Sequence, residues 1–331
     1  MSTLSAWKKM REVCVIGVGL HKFGRFADKD LGDLGREAIL AAFEDAGCGP
    51  KDIQAGFGGR VFTPNSTAIR LINEVFMTGI LVDNVEKACA TSSTAVRLAT
   101  WAIGAGLYDV VLCVGAEKME RGLVGGVAPG MESRASYSQL MGLGIMPGEY
   151  ALRAHRHMYM YGSTREMFAQ VAVKSHKNGA MNPYAQYQTP VTLEEVLNAR
   201  MIADPLTLYQ CSPTTDGATA TVLCAKEVAH KFRGKPITIA GWASGTPSYE
   251  PVGVGGDVQE GFIPRLAKEA YELASMGPED IQVAQVHDAF SAGEVFAYED
   301  LGFCKPGEGG RFVWEGKADI NGKVPVNTDG G

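Results

Sequence analysis

Ala42–Gln54 reads AFEDAGCGPKDIQ and Ala270–Gln282 reads AYELASMGPEDIQ, with eight of 13 positions identical and no gap. Internal repetition at this distance marks a duplicated structural unit. The surroundings repeat as well. Each copy follows an apolar, strand-like run (Val13–Gly17; Ile237–Gly241) and an amphipathic helix pattern (Leu34–Ala46; Ile263–Ala274). Each passes through Gly-Pro into a further extended segment (Ile53–Phe57; Ile281–His287), and then a second helix (Ser66–Met77; Ser291–Leu301). Alternating strand and helix predicts an α/β fold, with parallel sheets carrying helices on their faces.

The first copy runs on through Val85, a helix from Ala90 to Gly106, and strands at Val110–Gly115 and Thr219–Cys224. The second reaches Pro325–Gly331, the place where the first copy presents Cys89. An open sheet edge there would need covering, so this reading expects further polypeptide or a partner to fill it. The stretch 120–205 is too long for a structureless loop. It holds MGLGIMPG, the cluster HRHMYMY and a helix predicted over Thr164–Asn178, and reads as an inserted lid. The expected organisation is therefore 1–119 with 206–234 as the first half, 120–205 as the lid, and 235–331 as an incomplete second half.

The chain has 331 residues, 46% of them apolar and 21% charged. That composition excludes a disordered, collagenous or small disulfide-stapled protein. A net charge of −6 lacks the basic excess that tracks nucleic acid or an anionic membrane. Seven scattered cysteines without a Cys-x-x-Cys pair point to a reducing compartment and offer no zinc cage. Residues 1–11 lack the apolar run of a secretion signal. Arg97 and several hydroxyls interrupt Ala90–Tyr108, the longest candidate for a membrane span. The expected location is the cytoplasm.

Cys89, in NVEKACATSSTAVR, sits between an extended segment and the first turn of a helix. Backbone amides and the helix dipole at such a place favour a thiolate, while a small buried core residue is the competing reading. Cys14, Cys113 and Cys224 lie inside apolar strands and read as core. His287, in QVHDAFSAGE, is placed at a strand's C-terminal end, where sites in open parallel sheets gather; a histidine capped by Asp288 is the alternative. His155 and His157 lack a third ligand and read as a basic patch on the lid, with no metal site predicted. Gly17-Val18-Gly19 reads as a tight turn, since Lys22 replaces the third glycine of a dinucleotide loop. Asp216-Gly217-Ala218 reads as a turn returning the chain to the sheet.

Together the Cys89 turn, GVGLHKFGR at 17–25, YGSTREMFAQVAVKSHKNGAMNPYAQ at 161–186, SPTTDGA at 212–218 and VHDAF at 286–290 resemble the thiolases over nearly the whole chain. The nearest branch is the sterol-carrier-protein type, acetyl-CoA acetyltransferase-like. The resemblance implies two similar halves in a five-layered α-β-α-β-α body with an inserted lid, and a dimer. It implies coenzyme A as co-substrate, no tightly bound cofactor, and either cleavage of a 3-ketoacyl-CoA or the reverse Claisen condensation, in lipid or aromatic acid metabolism. Cys89 matches the nucleophile and His287 the histidine of the family's HDCF motif, an oxyanion donor. This sequence departs at Ala289, where that branch carries an acid-base cysteine. The family's GHP histidine would follow Gly331. Two other functions fit the same resemblance: a retro-aldol lyase acting on a 3-hydroxyacyl-CoA, and a non-catalytic acyl-CoA-binding subunit paired with a small zinc-ribbon/OB-fold protein.

Overall fold

The computed structural model describes residues 7, 9–63, 65–119, 145–246 and 262–331. The chain divides into two compact units, Met1–Glu120 with Thr215–Trp242, and Arg121–Thr214 with Ala243–Gly331. Residues 120–144 of the expected lid, including the MGLG of its glycine-rich run, lie outside the described residues, as does 247–261.

In the first unit, β1 (Val13–Leu20), β2 (Ala55–Gly59), β3 (Leu81–Val85), β4 (Val110–Lys118), β7 (Asp216–Ala225) and β8 (Ile237–Thr238) form one sheet. Among the described residues its order is β3-β2-β4-β7-β1-β8. Strands β5 (Met201–Ala203) and β6 (Leu206–Thr207) pair separately in the second unit. The sheet is mixed and not wholly parallel. β2 is parallel to β3 and β4, but β7 runs antiparallel to both β4 and β1. A chain that leaves β4 and returns after almost a hundred residues is free of the short right-handed crossover that enforces parallel pairing. It therefore inserts reversed between two parallel neighbours.

Period-two alternation sorts the side chains of these strands to two faces. Val110, Leu112, Val114 and Ala116 of β4 join Ala218, Ala220, Val222 and Cys224 of β7 in one core. That core is covered by α1 (Leu31–Ala46) and α2 (Thr67–Asn73). Val111, Cys113, Leu223 and Ala225 face the other way, against Ala95, Ala99, Ala102 and Ile103 of α3 (Thr91–Gly104). Cys14, Cys113 and Cys224 are buried core residues, and burial pushes the Cys224 thiol up to about 12 and Cys113 higher still. Gly17 and Gly19 are within β1 and do not form a turn. A Cβ on them would meet backbone oxygens of Ala42 and Ala38 at 2.5 and 2.1 Å, so they let α1 lie directly on the strand. Asp216 likewise begins β7, where its buried carboxylate accepts from the amides of Phe26 (3.0 Å) and Met119 (2.9 Å).

The second unit holds α4 (Met146–Tyr161), α5 (Arg165–Gly179), α6 (Leu193–Asn198), α7 (Phe262–Ala274), α8 (Ser291–Asp300) and α9 (Gly309–Trp314). α4, α5, α8 and α9 pack around Phe168, Phe290, Val295, Phe296, Tyr298 and Phe312, and Val196 of α6 packs separately on Ala169 and Ala172 of α5. The repeated corners share their hydrogen bonds. After α1, Gly47 takes a left-handed φ of 68°, Cys48 N donates to Phe43 O, and Asp52 Oδ2 accepts from Gly49 N at 2.8 Å. After α7, Ser275 has φ 55°, Met276 N donates to Tyr271 O, and Asp280 Oδ2 accepts from Gly277 N at 2.9 Å. The strands around the second corner differ from expectation. Ile237–Thr238 pairs antiparallel with β1 of the first unit. Residues 281–287 form no ladder, carrying one isolated parallel bridge from Ala284 to Val326. Among the described residues no helix is long and apolar enough to cross a membrane.

Candidate active site

Strand β3 ends at Val85, and the chain turns through a 3-10 segment, Ala88–Ala90, into α3. Cys89 lies at the centre of that turn. Ala88 has φ 45°, a left-handed conformation that costs a residue with a Cβ free energy and persists where neighbours impose it. The imposing contacts are local. Buried Thr91 accepts from Lys87 N (2.8 Å) and donates to Ala88 O (2.7 Å), while Glu86 Oε1 accepts from Ala88 N (2.7 Å). The hydroxyls of Ser93 and Thr94 both donate to Ala90 O. The turn therefore holds the Cys89 side chain outward, and Cys89 is exposed while the other cysteines are buried or half-buried.

Around it is a cavity of about 210 Å³, lined in part by Cys89, Arg60, Ser92, Glu117, Phe23 and Thr219. Gly59, the last residue of β2, and Gly115, in the C-terminal half of β4, belong to its wall. A Cβ on Gly59 would sit 2.0 Å from Val85 O, and one on Gly115 2.5 Å from Ser92 Oγ. Only glycine lets the strands and the Cys89 turn approach this closely. The position agrees with the rule that sites in open α/β sheets form beyond the carboxyl ends of strands.

Two charged residues here were not singled out by sequence reading. Glu117 Oε2 accepts from Val61 N at 2.6 Å and Oε1 from Thr63 N at 2.7 Å, with Phe62 N shared at 3.1–3.2 Å. One carboxylate thus clamps the loop after β2. Arg60 opens that loop, and its guanidinium donates to Asn65 Oδ1 at 2.6 Å. The signal available in the sequence was a charged residue at the end of each of two apolar strands.

His287 belongs to the second unit and is exposed, in the extended segment before α8. Its neighbours are held from within. Asn327, at φ 51°, accepts from Val286 N at 2.8 Å through Oδ1 and donates to Glu294 Oε2 at 2.9 Å. Asp288 is pushed up to about 7, chiefly by burial and then by the Glu294 charge, against the lowering effects of Lys174 and Asn327. Ala289 is buried, and its carbonyl accepts from Ser212 N at 2.9 Å. The two histidines of α4 are not one basic patch. His157 is buried with Nε2 2.8 Å from Glu299 Oε1, whereas half-exposed His155 pairs with Asp204 at 2.8 Å. Among the described residues no group of three or more potential ligands could hold a metal ion.

Comparison with known proteins accounts for both units. Residues 13–227 match the family described as Thiolase, N-terminal domain, and residues 257–331 match Thiolase C-terminal domain-like. The chain is 37% identical to an acetyl-CoA acetyltransferase of Methanothermobacter thermautotrophicus, over 97% of this chain and 85% of that one. It is 36% identical to the benzoylsuccinyl-CoA thiolase subunit BbsB of Thauera aromatica, over 98% and 84%. Among solved structures, an Ltp2-ChsH2(DUF35) aldolase superposes with a TM-score of 0.82 at 29% identity, covering 97% of this chain and 84% of that chain.

Proposed function

The chain belongs to the thiolase family, and from that premise we propose that Cys89 is the nucleophile of an acyltransferase acting on a 3-ketoacyl-CoA. The observation that carries the reading is an exposed thiol on a strained turn, in a cavity at the carboxyl ends of β2 and β4. In the cleavage direction the Cys89 thiolate adds to the 3-keto carbon, and the C2–C3 bond breaks with its electron pair passing to the enolate of the shorter acyl-CoA. Protonation at C2 releases that product. The acyl group stays on sulfur as a thioester until the thiolate of a second CoA attacks it and Cys89 leaves as thiolate. His287 donates to the enolate oxygen as charge develops there. In this reading the protein works as a cytoplasmic dimer.

A second reading, retro-aldol cleavage of a 3-hydroxyacyl-CoA, is favoured by Ala289, which carries no proton, and by similarity to the Ltp2-ChsH2(DUF35) aldolase. The same similarity supports a small partner protein. Intact-mass analysis after mixing with a 3-ketoacyl-CoA separates the two. An acyl adduct present in the wild type and absent in Cys89→Ser supports the thiolase; turnover without any adduct overturns it.

A further inference from the structure

We propose that Arg60 makes the Cys89 cavity selective for acyl groups ending in a carboxylate, an inference that rests on the thiolase reading above. Among the described residues Arg60 and Glu117 are the charged residues lining this cavity, beside Phe23, Val61, Ala116 and Ala218. Glu117 is committed: its two oxygens receive three backbone amides. Among the described residues Arg60 is held by neutral oxygens, Asn65 Oδ1 at 2.6 Å and the Val61 carbonyl at 3.5 Å, which fix the guanidinium without compensating its charge. The clamp on 61–63 makes the loop that follows Arg60 rigid, so the cation is positioned before substrate arrives.

The ligand class follows from size and chemistry. The cavity beside Cys89 measures about 210 Å³, room for the part of an acyl group next to the thiol. A planar fork of N–H donors pairs with a carboxylate in two parallel hydrogen bonds. A methyl-terminated chain would offer the guanidinium no acceptor for its remaining donors. The substrate class is therefore a 3-ketoacyl-CoA with a second, distal carboxylate.

The test compares two 3-ketoacyl-CoA substrates of equal length, one ending in a carboxylate and one in its methyl ester. In the wild type, kcat/KM favours the carboxylate; in Arg60→Gln that ratio falls about 10- to 100-fold, and Arg60→Lys retains part of it. A second measurement needs no turnover: the rates at which iodoacetate and iodoacetamide alkylate Cys89, read by peptide mass. Arg60→Gln lowers the iodoacetate-to-iodoacetamide ratio by about tenfold. A fall in the alkylation ratio in a protein that cleaves neither substrate leaves the anion site standing and defeats the thiolase reading. Cleavage of the ester with both ratios unchanged in Arg60→Gln overturns the selectivity and spares the thiolase reading. A raised KM for CoA with unchanged ratios also overturns it, by assigning Arg60 to the co-substrate.

Discussion

Lys174 Nζ lies 2.8 Å from Glu294 Oε1, with side-chain exposures of 1% and 0%. The pair joins α5 to α8, and both groups make further hydrogen bonds. Lys174 also donates to Val326 O at 2.7 Å, Asn327 donates to Glu294 Oε2, and Tyr298 donates its hydroxyl to Glu294 Oε1. Through Asn327 the cluster reaches the backbone of Val286, next to His287. Lys174→Met strands a carboxylate in the core and should destabilise the protein by about 3–5 kcal/mol. Lys174→Met combined with Glu294→Leu should recover much of that loss, as read by urea denaturation.

Asp288 gives stability a pH dependence whose sign follows from its titration. Its carboxyl is raised from 3.8 to about 7 in the fold, so folding favours the protonated form. The associated stability is fully present below the unfolded value and is lost as pH rises through about 7. Asp288→Asn removes this dependence. Relative to the wild type it should gain on the order of 2 kcal/mol between pH 5 and pH 8, measurable as diverging denaturation midpoints.

The wall glycines should respond unequally to a methyl group. At Gly59 the added carbon meets the backbone oxygen of Val85, whereas at Gly115 it meets the Ser92 hydroxyl, which can rotate. Gly59→Ala should therefore cost about 1–3 kcal/mol, with a smaller loss in Gly115→Ala. Both should slow iodoacetamide at Cys89 by narrowing its cavity.

Glu117→Gln leaves the loop at 61–63 without its charged acceptor. Hydrogen bonds to a charged group contribute about 1.5–3 kcal/mol, so amide exchange at Val61, Phe62 and Thr63 should accelerate tenfold or more by roughly that measure. Unchanged exchange at these amides would refute the clamp.

His287→Ala should lower kcat by about 10²-fold or more, the scale of one lost oxyanion donor. Alkylation of Cys89 should proceed at the wild-type rate. Loss of both would make His287 a structural residue.

The sequence by itself determined what hydrogen bonds over a few residues determine. The corners at 42–54 and 270–282 have equivalent caps because Gly47 or Ser275 takes the left-handed position and Asp52 or Asp280 ties back three residues. Alternation in β4 and β7 set which side chains enter each core. Cys89 was legible because the turn that presents it is held by contacts within Glu86–Thr94. Tertiary structure alone decided the reversed insertion of β7, the capture of Ile237–Thr238 by β1, and the lack of a ladder at 281–287. It also decided that Asp216 and Glu294 are buried anchors and not surface charges, and that Glu117 gathers the amides of 61–63. Lys174 and the Val326 carbonyl stand 152 positions apart, and no periodicity encodes such a meeting. It arises only when packing removes both groups from water and each must find its partner there.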